Sequence, residues 1–103
     1  MHSIWIADDD EAIRLVLEES LSSAGFKPKS FASGEDLVKE LDNSQPDLII
    51  TDVQMPGMLG YDLLKHINNN FEDIPVIVMT AFADMQAAVE SFGGGAYEYI
   101  PKP

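Results

Sequence analysis

Two observations predict an α/β fold in which a parallel sheet is wound with helices on both faces. Short apolar runs alternate with helical patterns over the whole length, in the order βαβαβαβαβ. Strands separated by helices of this length imply parallel pairing through right-handed crossovers. Two of the runs, around Ile49-Ile50 and Val76–Met79, also lack polar alternation. Central strands covered on both faces have that composition.

Ser3–Ala7 is the first apolar run, rich in β-formers, and Glu11–Ala24 follows it with Ile13, Val16, Leu17, Leu21 and Ala24 at helical spacing. Gly25 supplies the stop. Lys27–Phe31 reads as a weak strand. Ser33 is positioned as an N-cap for a short helix to about Asp42, with Asp36 completing a looser capping box. Asp47–Thr51 is a continuous run that ends at Asp52. Leu63, Leu64, Ile67 and Phe71 mark a third helix, closed by Asn68–Asn70. Pro75–Met79 is the most apolar strand candidate. Asp84–Phe92 is helical, the glycines 93–95 break it, and Tyr97–Ile100 is a last short strand. One glycine suffices for a C-cap, so the triple glycine predicts a loose end to that helix.

The chain has 103 residues, enough for one compact domain spanning residues 1–103, and 46% of them are hydrophobic. With 18 acidic against 6 basic side chains the formal net charge is −12. Such a surface is repelled by phosphate backbones and anionic lipid, so direct nucleic-acid binding is not expected. Cysteine is absent from the sequence, which removes disulfide frameworks and thiolate metal sites. No apolar run approaches a transmembrane length and the N-terminus has no signal-peptide pattern, so a cytoplasmic location is the default expectation.

In parallel sheets of this kind, ligands bind beyond the carboxyl ends of the strands. Those ends carry the unusual residues. The first run closes on Asp8-Asp9-Asp10, the third on Asp52 and the fourth on Thr80, and Lys102 follows the fifth. Singly, each has an ordinary reading: Asp10 as a helix cap, Asp52 as a turn former, Thr80 as another cap, Lys102 as a solvated charge. Jointly, those readings leave carboxylates facing one another uncompensated. A hard cation such as Mg²⁺ would offset that repulsion and attract a phosphoryl group. A carboxylate can also act as nucleophile to give an acyl phosphate, and phosphoryl transfer needs chiefly positioning and charge neutralisation.

The segments IADDDEAIR, PDLIITDVQMPGMLG, PVIVMTAF and GAYEYIPKP, spread from end to end, resemble the receiver domain of bacterial two-component response regulators. The detail of MTAFADMQAAVES and GAYEYIPKP is most similar to the nitrogen-regulator class, in which a receiver precedes an ATPase and a DNA-binding module. The resemblance implies a flavodoxin-like five-stranded sheet of order 2-1-3-4-5. It implies Asp52 as phosphoacceptor from a histidine kinase. Asp9, Asp52 and the main-chain carbonyl of Gln54 would hold Mg²⁺, with Asp8 in support. Lys102 would pair with Asp52 and then with the phosphoryl oxygens. Thr80 would donate to the phosphoryl group while Tyr99 turns inward behind it. The Lys102–Pro103 peptide would be cis, and Met55-Pro56 fits the loop after the phosphoacceptor. Asp10 matches no required family position and stays a helix cap.

The same resemblance implies a sensor kinase and a downstream output module as partners, transcription control as the output, and a phosphorylation-dependent dimer. It also implies that the chain is the N-terminal part of a longer regulator, trimmed before a fifth helix. Without that helix, one flank of the sheet and part of the first helix would expose apolar surface. Leu59 departs from the acidic or amide residue common at its place. Phe82 and Gln54 would together set a slow or moderate self-dephosphorylation. His2 and His66 read as surface residues.

Three other readings compete. A phosphoaspartate phosphatase needs an aspartate two residues after the nucleophile, where Gln54 stands. A nucleotide or flavin binder needs a Gly-rich loop after the first strand, where carboxylates stand instead. A receiver-like interaction module that is never phosphorylated is opposed by the intact set Asp9, Asp52, Thr80 and Lys102.

Overall fold

The computed structural model describes residues 2–53, 60–71, 73–92 and 95–102. The elements are β1 (Ser3–Ala7), α1 (Glu11–Ser23), β2 (Lys27–Phe31), α2 (Gly34–Glu40), β3 (Leu48–Asp52), α3 (Gly60–Asn70), β4 (Val76–Thr80), α4 (Met85–Phe92) and β5 (Glu98–Pro101). All pairings are parallel, and the sheet order is β2-β1-β3-β4-β5. The expected order and the expected element boundaries therefore hold to within one or two residues. α2 ends two residues before the expected Asp42, and a 3-10 turn at Phe82–Asp84 delays the fourth helix by one residue.

Local chemistry explains the element ends. The Asp10 Oδ1 accepts from the Ala12 N–H at 2.9 Å, so Asp10 is the N-cap of α1, as its sequence position suggests. Gly25 adopts φ +93° just past the helix, a conformation that a side chain would oppose. Ser33 caps α2 by accepting from the Asp36 N–H at 3.2 Å. β2 is an edge strand, and its Lys27-Pro28-Lys29 composition suits an edge because proline cannot donate to a ladder and lysine discourages further pairing.

The sheet separates two apolar layers. Trp5, Ile49, Val76 and Val78 pack with Leu37 and Leu41 of α2 and with Leu63, Leu64 and Ile67 of α3. On the other face, Ile4, Ile50 and Met79 pack with Ile13, Leu17 and Leu21 of α1. α1 contributes no fully buried residue, and Leu15 and Val16 remain 54% and 48% exposed. Ile77 and Ile100, on that same face, are only half-buried. Apolar surface is thus exposed on α1 and at the β4–β5 flank, as expected from the sequence.

Gly95 follows α4, and its carbonyl accepts from the Asn68 side-chain amide at 3.1 Å. A Cβ at Gly95 would lie 3.0 Å from that amide nitrogen and 3.4 Å from Leu64. One of the three glycines therefore has a packing reason, a close approach to α3. Gly93 and Gly94, and with them the expected loose helix end, lie outside the described residues. Among the described residues, no helix is long and apolar enough to cross a membrane.

Candidate functional site

β1 and β3 are neighbours although β2 lies between them in sequence, so the strand order reverses between their carboxyl ends. A crevice at such a reversal is where open parallel sheets bind ligands. Asp8 leaves the end of β1 and Asp52 closes β3, so the strand order itself brings the two carboxylates together. Carboxylate oxygens of Asp8, Asp9 and Asp52 all lie within 4.8 Å of one another. Asp8 is wholly buried, Asp52 is 6% exposed, and Asp9 faces solvent.

Lys102 reaches this cluster from the turn after β5. Its Nζ is 3.0 Å from Asp52 Oδ2 and 3.5 Å from Asp8 Oδ2. The Lys102 N–H donates to the Thr80 carbonyl at 2.8 Å, continuing the β4–β5 ladder one step and directing the lysine back over the sheet edge. Thr80 is buried one residue beyond Met79, the register partner of Asp52. Tyr99 pairs with Val78 and is half-buried against the α2–α3 layer. The structure therefore brings Asp8, Asp9, Asp52 and Lys102 into one cluster, with Thr80 on the adjacent strand end and Tyr99 behind. Gln54, Leu59, the Met55-Pro56 loop and the Lys102–Pro103 peptide bond lie outside the described residues, and so does the Phe82 side chain.

The backbone fixes the carboxylates tightly. Asp8 donates from its N–H to the Phe31 carbonyl at 3.1 Å, and its Oδ1 accepts from the Asp10 N–H at 2.9 Å. Asp52 Oδ1 accepts from the Val53 N–H at 2.8 Å, leaving Oδ2 for Lys102. Two further contacts were not foreseen from the sequence. Arg14 Nη1 donates to the Asp8 carbonyl at 2.7 Å. Gly60 donates to the Val53 carbonyl at 2.9 Å and lies so close that a Cβ there would meet the Asp52 carbonyl oxygen at 2.0 Å. Arg14 had a visible signal, being the first cation after four consecutive acids. Gly60 had only its place in a glycine-containing loop.

Gly60→Ala is accordingly expected to push the Asp52 backbone aside and to cost at least ~1 kcal/mol, as overpacking against an unyielding main chain does. Urea denaturation measures the loss, and an unchanged midpoint would show that the approach is relieved cheaply.

The electrostatics of the cluster are those of a site short of positive charge. Burial raises the Asp8 pKa above the ordinary carboxylate value, and the nearby Asp52 charge adds to this. The Asp10 N–H and Lys102 oppose the rise without cancelling it. Burial alone would lower Lys102, but its hydrogen bond to Asp52 and the charges of Asp52 and Asp8 outweigh burial and hold it above the usual lysine range. Asp8 Oδ2 is buried and accepts no hydrogen bond among the described residues. An unsatisfied buried oxygen beside two further carboxylates suits a hard divalent cation, which takes oxygen donors and relieves their repulsion. The donor set present therefore fits Mg²⁺.

A family model described as the response regulator receiver domain matches residues 4–103. A curated relative, the DNA-binding transcriptional regulator NtrC of Klebsiella pneumoniae, is 46% identical over 99 residues, covering 96% of this chain and 21% of the relative. The NtrC of Escherichia coli strain K12 is 43% identical over 100 residues, covering 97% and 21%. The chain thus spans about a fifth of the length of these relatives. Among solved structures, the response regulator TrrA of Thermotoga maritima, in complex with Mg²⁺ and BeF, superposes with a TM-score of 0.88 at 30% identity, covering 100% of this chain and 88% of that one. A response regulator from Chloroflexus aurantiacus, described as putative, gives a TM-score of 0.90 at 35% identity, covering 99% and 85%.

Proposed function

Because the chain belongs to the response regulator receiver domain family, whose members are phosphoacceptors, we propose that Asp52 is the residue that takes the phosphoryl group. The observation that carries this reading is the Lys102–Asp52 pair at 3.0 Å beside the Asp8 and Asp9 carboxylates, at the reversal point of the sheet. A carboxylate oxygen of Asp52 forms the new P–O bond while the P–N bond of a donor phosphohistidine breaks and its electron pair returns to the imidazole. Lys102 stays at the same place throughout. It first balances the Asp52 carboxylate and then the phosphoryl oxygens, so that charge is neutralised where it accumulates.

Asp9 and Asp52, with the Gln54 carbonyl, would hold Mg²⁺ with Asp8 in support, and the ion when bound neutralises the carboxylates and the incoming phosphoryl oxygens. The hydroxyl of Thr80 donates to the phosphoryl group once it is attached. Its movement vacates space that the half-buried Tyr99 ring can fill, and the 3-10 turn and α4 shift with it. Beyond this self-modification and a slow self-dephosphorylation governed in part by Phe82 and Gln54, the chain turns over no other substrate.

The partners follow from the chemistry of the site and the 21% coverage of its relatives. A histidine kinase supplies the phosphoryl group, and an output module, acting in transcription, reads the changed face. The chain is then the N-terminal receiver of a longer cytoplasmic regulator, which pairs with a second copy on phosphorylation. Asp52→Asn is expected to abolish transfer of labelled phosphate from a histidine-kinase donor while leaving the melting transition cooperative. Label retained by that variant at the wild-type level would transfer the acceptor role to another residue.

A further inference from the structure

Three hydrogen bonds hold Asp8, one from β2, one from the cap of α1 and one from α1 itself. β2 accepts from its N–H through Phe31, the Asp10 N–H holds its Oδ1, and Arg14 of α1 holds its main-chain carbonyl at 2.7 Å. The Asp52 carbonyl also accepts from a side chain, the Thr51 hydroxyl at 3.1 Å, but among the described residues only Asp8 receives such a bond from a charged group. The bond is charge-assisted and partly buried, so it is among the stronger kinds of hydrogen bond in a protein.

The Asp8 carbonyl shares one rigid peptide plane with the N–H and Cα of Asp9. Fixing that carbonyl therefore fixes the direction in which Asp9 leaves the strand. Asp9 is exposed, and its carboxylate must be brought to the buried Asp8 and Asp52 oxygens to complete the group within 4.8 Å. Arg14 sits at the end of the first helical turn, its own N–H bonded to the Asp10 carbonyl at 3.1 Å. It thereby ties the start of α1 to the end of β1, across the run of four acids.

We propose that Arg14 is a positioning residue for the Mg²⁺ site: its guanidinium orients the Asp8–Asp9 peptide so that both carboxylates meet Asp52. The proposal rests on the reading of these carboxylates as a Mg²⁺ site. It makes a prediction opposite in sign to simple electrostatics. Removing a cation bonded to the main chain of Asp8 should, on charge alone, tighten the binding of another cation at the neighbouring carboxylates. Removing an orienting partner of a ligand commonly weakens metal affinity by about 10–100-fold.

The test is calorimetric titration of wild type, Arg14→Ala and Arg14→Lys with MgCl₂ well below their melting temperatures, with circular dichroism confirming that each is folded. Arg14→Ala is expected to bind Mg²⁺ about 10-fold more weakly than wild type. Affinity equal to or tighter than wild type would overturn the positioning role while leaving the metal site intact. If Arg14→Ala does not fold, Arg14→Lys decides the matter: it keeps the charge but not the reach or the fork of the guanidinium, and is expected to bind more weakly than wild type. Wild-type affinity in the lysine variant would then count against the proposal. A wild-type protein with no Mg²⁺ binding would overturn the site reading and this proposal with it.

Discussion

Replacing Lys102 by alanine is expected to destabilise the domain by about 2–4 kcal/mol in the absence of Mg²⁺, and to abolish phosphorylation. Breaking one side of a buried ion pair leaves the other charge uncompensated, at about 3–5 kcal/mol for a fully buried pair. Here the carboxylates are buried but the lysine side chain keeps 24% exposure, so the loss falls about 1 kcal/mol below that range through solvent screening. The Lys102 pKa is raised above its ordinary value of 10.5. Its contribution is therefore complete below that value and disappears only as pH rises through the raised one. The gap between wild type and variant should stay constant from neutral pH up to the ordinary lysine range and close above it. Added Mg²⁺ should recover part of the loss, because it supplies charge to the same oxygens. Urea denaturation at several pH values measures all of this. A variant as stable as wild type at neutral pH would mean that solvent already screens the carboxylates.

Asp8→Asn is expected to have two effects of opposite sign. Without Mg²⁺ at neutral pH, the variant should be more stable than wild type, because it removes a carboxylate whose burial disfavours its charge while Asp52 remains to pair with Lys102. For a domain of this size each kcal/mol corresponds to about 4–8 °C in Tm. The sign follows from the raised Asp8 pKa. A raised group contributes stability below its ordinary value of 3.8 and loses it as pH rises through the folded value. At neutral pH the ionised Asp8 is thus a net cost, and the difference between the two proteins should shrink as pH falls toward 3.8. With Mg²⁺ the order should reverse. Wild type gains about 2.7 kcal/mol at a concentration 100 times Kd, and the variant gains little. Parallel melts with and without the ion read both effects. A metal-free variant that melts below wild type would show that the Lys102 attraction outweighs the burial of Asp8.

These two variants also mark what the sequence can and cannot convey. Continuous apolar runs placed the central strands, because a sheet covered on both faces needs runs such as Ile49-Ile50 and Val76–Met79 whatever the details of packing. The carboxylates and Lys102 were readable because strand ends in a parallel sheet share one edge, so Asp8, Asp52, Thr80 and Lys102 could be brought together by topology alone. Distances and burial were not readable. That Asp8 is wholly buried with an unsatisfied oxygen, while its neighbour Asp9 faces solvent, depends on how β1 turns into α1. Arg14 stood out as the first cation after four acids, but the main-chain carbonyl it bonds could not be read from side-chain patterning. Gly60 is similar, since its requirement arises from the Asp52 carbonyl across a loop and not from its neighbours in sequence. The short 3-10 turn before α4 escaped for a simpler reason: three residues are too few to show a helical period.

The central claim is that Asp52 accepts a phosphoryl group at a site completed by Mg²⁺. Intact-mass measurement after incubation with acetyl phosphate, with and without MgCl₂, followed by peptide mapping, tests it most directly. A single added phosphoryl group, dependent on Mg²⁺, mapped to Asp52 and missing from Asp52→Asn, is the predicted result. No mass increase with Mg²⁺, or a phosphoryl group mapped to any other residue, would contradict it.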